Sequence, residues 1–314
     1  MKRNSVIAFL FVMTLVLLAL PLSIAAQEPI NYDDLALLRW YPANETATFH
    51  AGQHPSALAF DGSHMWVANY WSATVTEIQT NDGTVVGTYS VGNKPWKLAY
   101  DGANLWVSNL GDHSVTRLRA SDGTVLSTTV LGANYGPLGM AFDGTYMWVA
   151  YENLVVKMNS NGSRRATYPV PGPYDLACDG ANIWVTSPAH NNVVELSPSG
   201  TVLGTYTVGT QPHGIAFDGA NMWVANYGSN NVTELSSTGT VVGTYSVGNQ
   251  PWGIAFDGTN MWVGNSGDGT VTKILASNGT ILGTFNVGRA PWAVAFDGAN
   301  IWVANHADGT LSKR

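Results

Sequence analysis

The chain has 314 residues, a formal net charge of −7 and only 11% charged residues. That length supports one large domain, and a mildly acidic chain with no basic cluster argues against nucleic acid and anionic membrane partners. Cys178 is the only cysteine, so no internal disulfide can form.

Residues 1–26 have the form of a secretory signal peptide. Lys2 and Arg3 precede an apolar run from Val6 to Leu20, and Ser23, Ala25 and Ala26 suit cleavage after Ala25 or Ala26. The run is also long enough to remain as an uncleaved anchor. Either outcome implies a location that is extracellular, on the cell surface or periplasmic, with no further membrane segment. Residues 27–46 form a short lead-in that includes Trp40.

From residue 47 to residue 314 the chain repeats itself. The form Asp-Gly-x-x-apolar-Trp occurs seven times, with tryptophans at Trp66, Trp106, Trp148, Trp184, Trp223, Trp262 and Trp302, spaced 40, 42, 36, 39, 39 and 40 residues apart. A period near 40 with several short strands per copy predicts a β-propeller. In the copy from Gln250 to Gly288, Pro251–Phe256 is strand A and Asp257–Asn260 a tight hairpin loop. Met261–Asn265 is strand B, Thr270–Ile274 strand C, and Thr280–Gly288 strand D. The fold class is therefore all-β: a seven-bladed propeller of four-stranded antiparallel blades.

One blade cannot bury both of its faces, so the blades must close into a ring. The last copy has strand A (Pro291 to Phe296), strand B (Ile301 to Asn305) and strand C (Thr310 to Arg314), but no strand D. Ala47–Gly52 matches the missing strand, so an N-terminal strand should complete the C-terminal blade and protect its open edge. The domain then runs from 47 to 314.

Residues identical in every copy serve the blade. Asp61, Asp101, Asp143, Asp179, Asp218, Asp257 and Asp297 read as turn formers, and the repeated tryptophans as packing between blades. Glu77, Glu195 and Glu234 take matching strand C positions and are expected to face solvent. Cys178 replaces the Phe or Tyr of the other copies and is expected to be a small buried core residue.

Strings such as Met222–Asn226, Asn231–Leu235 and Gly239–Gly248 followed by Pro251 resemble the YVTN-type repeats of bacterial and archaeal secreted propellers. They resemble more loosely the NHL and streptogramin-lyase (virginiamycin B lyase) propellers. The resemblance covers residues 47–314 and implies the propeller fold; such propellers host binding proteins, enzymes and structural surface proteins alike. Streptogramin-lyase repeats tend to end strand B with an acidic residue, and the family resemblance implies a metal held by His and Glu near the axis. Here the matching positions are Asn69, Asn109, Tyr151, Ser187, Asn226, Asn265 and Asn305, with Glu152 one place out of register. The asparagines place the chain nearer the YVTN group.

Function should lie where the copies differ. The residue after the proline that opens strand A is Ser56, Trp96, Leu138, Tyr174, His213, Trp252 or Trp292. These should ring the channel mouth, on the face that also carries Tyr70, Trp71, Tyr135, Tyr151 and Tyr227. Two readings stand open: an aromatic rim for a ligand with flat apolar faces and hydroxyls, or a plug filling the channel. Ligand-binding candidates are Trp96, Tyr174, His213, Trp252, Trp292, Trp71 and Tyr227.

His54, His113, His190, His213 and His306 fall in loops of the same face. His190 with His213, and His54 with His306 near Asp308, could hold a divalent metal, or they are solvated loop residues. No nucleophile elbow, paired thiol or phosphate loop is present, and no cofactor is required. The leading expectation is a secreted, monomeric, non-enzymatic scaffold that binds a glycan, peptide or protein. The alternatives are a metal-assisted lyase or hydrolase using His213, His190 and Glu152, and a cell-surface structural protein.

Overall fold

The seven Asp-Gly hairpins show why the repeat is written as it is. In the sixth, Asp257 Oδ1 accepts the backbone N–H groups of Thr259 and Asn260 at 2.9 and 2.6 Å, and Gly258 takes the left-handed φ of +92° that closes the turn. The other oxygen, Oδ2, accepts the indole N–H of Trp262. All seven blades make this Asp–Trp bond at 2.7 Å. Burial alone would raise the carboxyls of Asp101, Asp257 and Asp297, but the indole, amide and backbone donors outweigh it and hold them below the ordinary value.

The computed structural model describes residues 47–314; the expected signal segment and lead-in lie outside the described residues. The described chain forms seven four-stranded antiparallel sheets, each ordered A-B-C-D. Blade one is Pro55–Phe60, His64–Asn69, Thr74–Gln79 and Val85–Ser90. Among the described residues there is no helix. In blade seven, Pro291–Phe296, Ile301–Asn305 and Thr310–Lys313 are joined by Ala47–His50, with Phe49 paired to Leu311. The fold is a seven-bladed β-propeller closed by its first described strand.

The core lies between blades. The seven tryptophans are buried, and strand B is buried along almost its whole length. In six blades an aromatic residue of strand D packs on the tryptophan of its own blade, as Tyr245 does on Trp223 with ring centroids 5.3 Å apart; strand D of blade two, Val125–Val130, has no aromatic residue. The same ring lies against the glycine of the next blade's C-to-D turn. A Cβ at Gly279 would fall 1.8 Å from Tyr245, and one at Gly83 would fall 2.0 Å from Phe49. Those turns therefore require glycine for space as well as for φ.

Strand C corrects one expectation. Glu77, Glu195 and Glu234 are buried, not solvent-facing. Each stands opposite its blade's tryptophan. Each accepts a strand D tyrosine hydroxyl: Tyr89 at 2.8 Å, Tyr206 at 2.7 Å and Tyr245 at 2.6 Å. Burial and these carboxylates push the three phenols up to about 12. In the other blades Arg117, Lys157, Lys273 and Lys313 occupy the same position and lie over the tryptophan face, 4.5–5.7 Å from its centroid. Cys178 is half-buried rather than fully enclosed, and burial raises its thiol.

The strand B asparagines are also structural. Asn69, Asn109, Asn226, Asn265 and Asn305 are fully buried, and each donates its amide to the hydroxyl of Thr76, Thr116, Thr233, Thr272 or Ser312. This bond ties strand B to strand C near the channel mouth.

Candidate functional site

The channel is built from the seven A strands. Their backbones crowd at the axis: a Cβ at Gly214 would fall 2.3 Å from the carbonyl oxygen of Trp252, and one at Gly253 would fall 2.5 Å from that of Trp292. Hydroxyls stitch neighbouring blades there. Ser56 donates to the carbonyl of Pro95 at 2.7 Å, Ser108 to Leu138 at 2.7 Å and Thr186 to His213 at 2.9 Å. With so little room, the large side chains after each proline gather at the mouth.

They form one continuous string of ten rings. His213 is sandwiched between Tyr174 and Tyr227, with centroids at 4.5 and 4.7 Å, and meets the edge of Trp252 at 4.4 Å. Trp252 stacks on Trp292 at 4.7 Å, and Trp292 on His306 at 3.4 Å. Trp96, from blade two, reaches Trp252 of blade six at 6.3 Å and Trp292 of blade seven at 5.5 Å. His306 continues to His54 at 4.8 Å, and Tyr70 and Trp71 complete the string.

The contacts of Trp96 cross the axis, so the middle of the string plugs the channel. The far end does not: Trp71 is 56% exposed, with Lys94 Nζ 5.6 Å from its centroid. Beside Tyr174 lies an open groove of about 490 Å³, lined by Tyr135, Leu138, Glu152, Pro173 and Pro188 among others. Tyr135 is 71% exposed. The groove exists because the B-to-C turn of blade three is only Glu152–Asn153, whereas the other blades use four residues.

Burial leaves two imidazoles poor proton acceptors. His213 is lowered to about 4 by burial among its rings. His306 is lowered to about 4 by burial and by His54, partly opposed by its contact with the Pro55 carbonyl. Tyr174 is pushed well above the ordinary phenol value by burial and by nearby Asp175.

Beneath the plug is a small cavity of about 60 Å³, room for a few waters. Lys97 and Asp175 face each other on its wall with Nζ and Oδ2 2.6 Å apart, joining blades two and four. Sequence reasoning missed this pair, although a signal was present. The second residue after the proline is Ala57, Gly139, Gly214, Gly253 or Ala293 in five blades, and Lys97 or Asp175 in the other two.

The structure brings His54 and His306 together but gives Asp308 to Arg289 at 2.6 Å. His190 is exposed and sits 2.9 Å from Ser187 Oγ. His213 is enclosed by its stack, and Glu152 lies in the blade-three turn. His213, His190 and Glu152 therefore do not form a ligand cluster. Among the described residues, one group of three or more potential metal ligands converges: Asp61, His64 and Glu77, on the opposite face.

No protein-family model and no curated protein matches the sequence. Solved structures do match. A streptogramin B lyase and the selenomethionine-substituted virginiamycin B lyase from Staphylococcus aureus each superpose with a TM-score of 0.74 at 18% identity. The alignments cover 86% of this chain and 96% and 98% of theirs. Kuenenia stuttgartiensis hydrazine synthase gives 0.74 at 19% identity, over 83% of this chain and 95% of that one. These likenesses establish the seven-bladed fold; at this identity they carry no activity across.

Proposed function

We propose that the chain is an exported binding scaffold, not an enzyme, whose channel-mouth face takes a neutral ligand with flat apolar faces and hydroxyls, a glycan. The observation that carries this reading is the contiguity of the ten rings from Tyr227 to Trp71, which build one floor ending in the exposed Trp71. The axial rings fill the channel and form a rigid floor. The exposed Trp71 and Tyr135 provide faces on which a pyranose ring stacks. Glu152 and Asn153, in the groove wall, supply polar partners for hydroxyls.

Catalysis by the lyase route would need His213, His190 and Glu152 to converge, and they do not. The test is binding of the purified protein to glycan and peptide arrays, with Trp71→Ala and Tyr135→Ala as comparisons. Selective glycan retention that both substitutions weaken supports the reading. Retention of peptides instead replaces the ligand class, and no retention on either array removes the scaffold reading.

A further inference from the structure

On the face opposite the channel mouth, blade one differs from the rest at one position. Three residues after the turn aspartate stands His64; the other blades have Asn104, Tyr146, Asn182, Asn221, Asn260 and Asn300. Blade one also carries Glu77 across from its tryptophan. It is therefore the one blade that joins a turn carboxylate, an imidazole and a second carboxylate.

Their geometry suits a single ion. His64 Nδ1 lies 3.1 Å from Glu77 Oε1 and 3.7 Å from Asp61 Oδ2, and the three ligand atoms all lie within 4.8 Å of one another. Donors held about 2.0–2.1 Å from a tetrahedral zinc ion sit about 3.4 Å apart. Both carboxylates are already held in place, Asp61 through the oxygen that faces His64 and Glu77 through its other oxygen. The Trp66 indole donates to Asp61 Oδ2 at 2.7 Å, and the Tyr89 hydroxyl to Glu77 Oε2 at 2.8 Å. Such outer contacts fix metal ligands in place. All three residues line an open cleft of about 550 Å³ between blades one and two, which leaves a coordination position for water. Arg119, the cation in that cleft, is engaged by Asp122 at 2.8 Å.

We propose that Asp61, His64 and Glu77 bind a divalent ion of the zinc type. Two carboxylates with a neutral imidazole supply one nitrogen and two oxygens and balance the ion's charge. The chain contains its own control. In blades four and five, Asn182 and Asn221 donate to Glu195 Oε1 and Glu234 Oε1 at 2.8 and 2.7 Å. Asparagine at this position therefore keeps the blade intact and removes the nitrogen ligand.

The experiment is calorimetric titration of Zn²⁺ into the chelator-stripped full chain. Wild type should take up one equivalent at this site. His64→Asn should weaken that uptake at least about tenfold with an unchanged Tm. Asn221→His, which repeats the arrangement with Asp218 and Glu234, should add a second equivalent. His54→Ala, at the channel mouth, should bind as wild type does. No uptake by wild type, equal uptake by His64→Asn, or loss of uptake in His54→Ala instead would overturn the proposal.

Discussion

Trp96 and Trp292 meet across the propeller axis with ring centroids 5.5 Å apart, although they belong to blades two and seven. This contact turns the channel mouth into a floor. A ligand at the mouth would rest on this floor rather than pass into the channel. Lys97 and Asp175 lie beneath it, on the wall of a cavity of about 60 Å³.

Removing one member of that pair should cost more than removing both. Lys97→Ala leaves the buried Asp175 carboxylate without its cation, and a loss of about 2–3 kcal/mol is expected. The double change Lys97→Ala with Asp175→Gly installs the residue types of the other blades and should recover most of that loss. Urea denaturation of the two single variants and the double variant, read as a thermodynamic cycle, checks this.

His213 and His306 make the protein sensitive to acid. Both are lowered from 6.5 to about 4 when folded, so between those values the unfolded chain binds more protons than the native one. Stability is full above pH 6.5 and declines as pH falls toward 4. His213→Phe keeps a ring between Tyr174 and Tyr227 but does not titrate. Its Tm should fall less than that of wild type between pH 7 and pH 4.5; an equal fall would contradict the assignment.

Ring closure rests on Phe49, which pairs with Leu311, stacks on Trp302 at 5.4 Å and covers Gly83 of blade one. Phe49→Ala should destabilise the propeller by about 2–3 kcal/mol, below the full core range because the side chain is half-buried. Denaturation midpoints at constant m-value measure it. Val85→Ala, on an exposed outer strand, should change them little.

The blade count and the closure were legible because a 40-residue period and a missing last strand are properties of the chain itself. The roles of the repeated Asp and Trp were legible for the same reason: a residue present in every copy has a role in every copy. Glu77, Glu195 and Glu234 were misread because the alternation along strand C resembles a half-solvated strand. In the ring, a strand D tyrosine covers each carboxylate. Lys97 and Asp175 went unseen because the comparison of copies stopped at the residue after proline. The groove beside Tyr174 was written in the spacings of 42 and 36 around blade three, but its depth depends on how the shortened turn packs. The grouping of His64 with Asp61 and Glu77 was not legible in the sequence, because Glu77 reaches the other two only when strands B and C pair.

The proposed function stands on ligand binding at the aromatic mouth. Its most direct measurement is retention of the protein on a glycan array, comparing wild type with the Trp71→Ala, Tyr135→Ala double variant. Both side chains are exposed, so the variant should fold with an unchanged Tm. Wild type should be retained on a defined set of glycans, and the variant should show at least about a tenfold loss. Equal retention by the two proteins would contradict it.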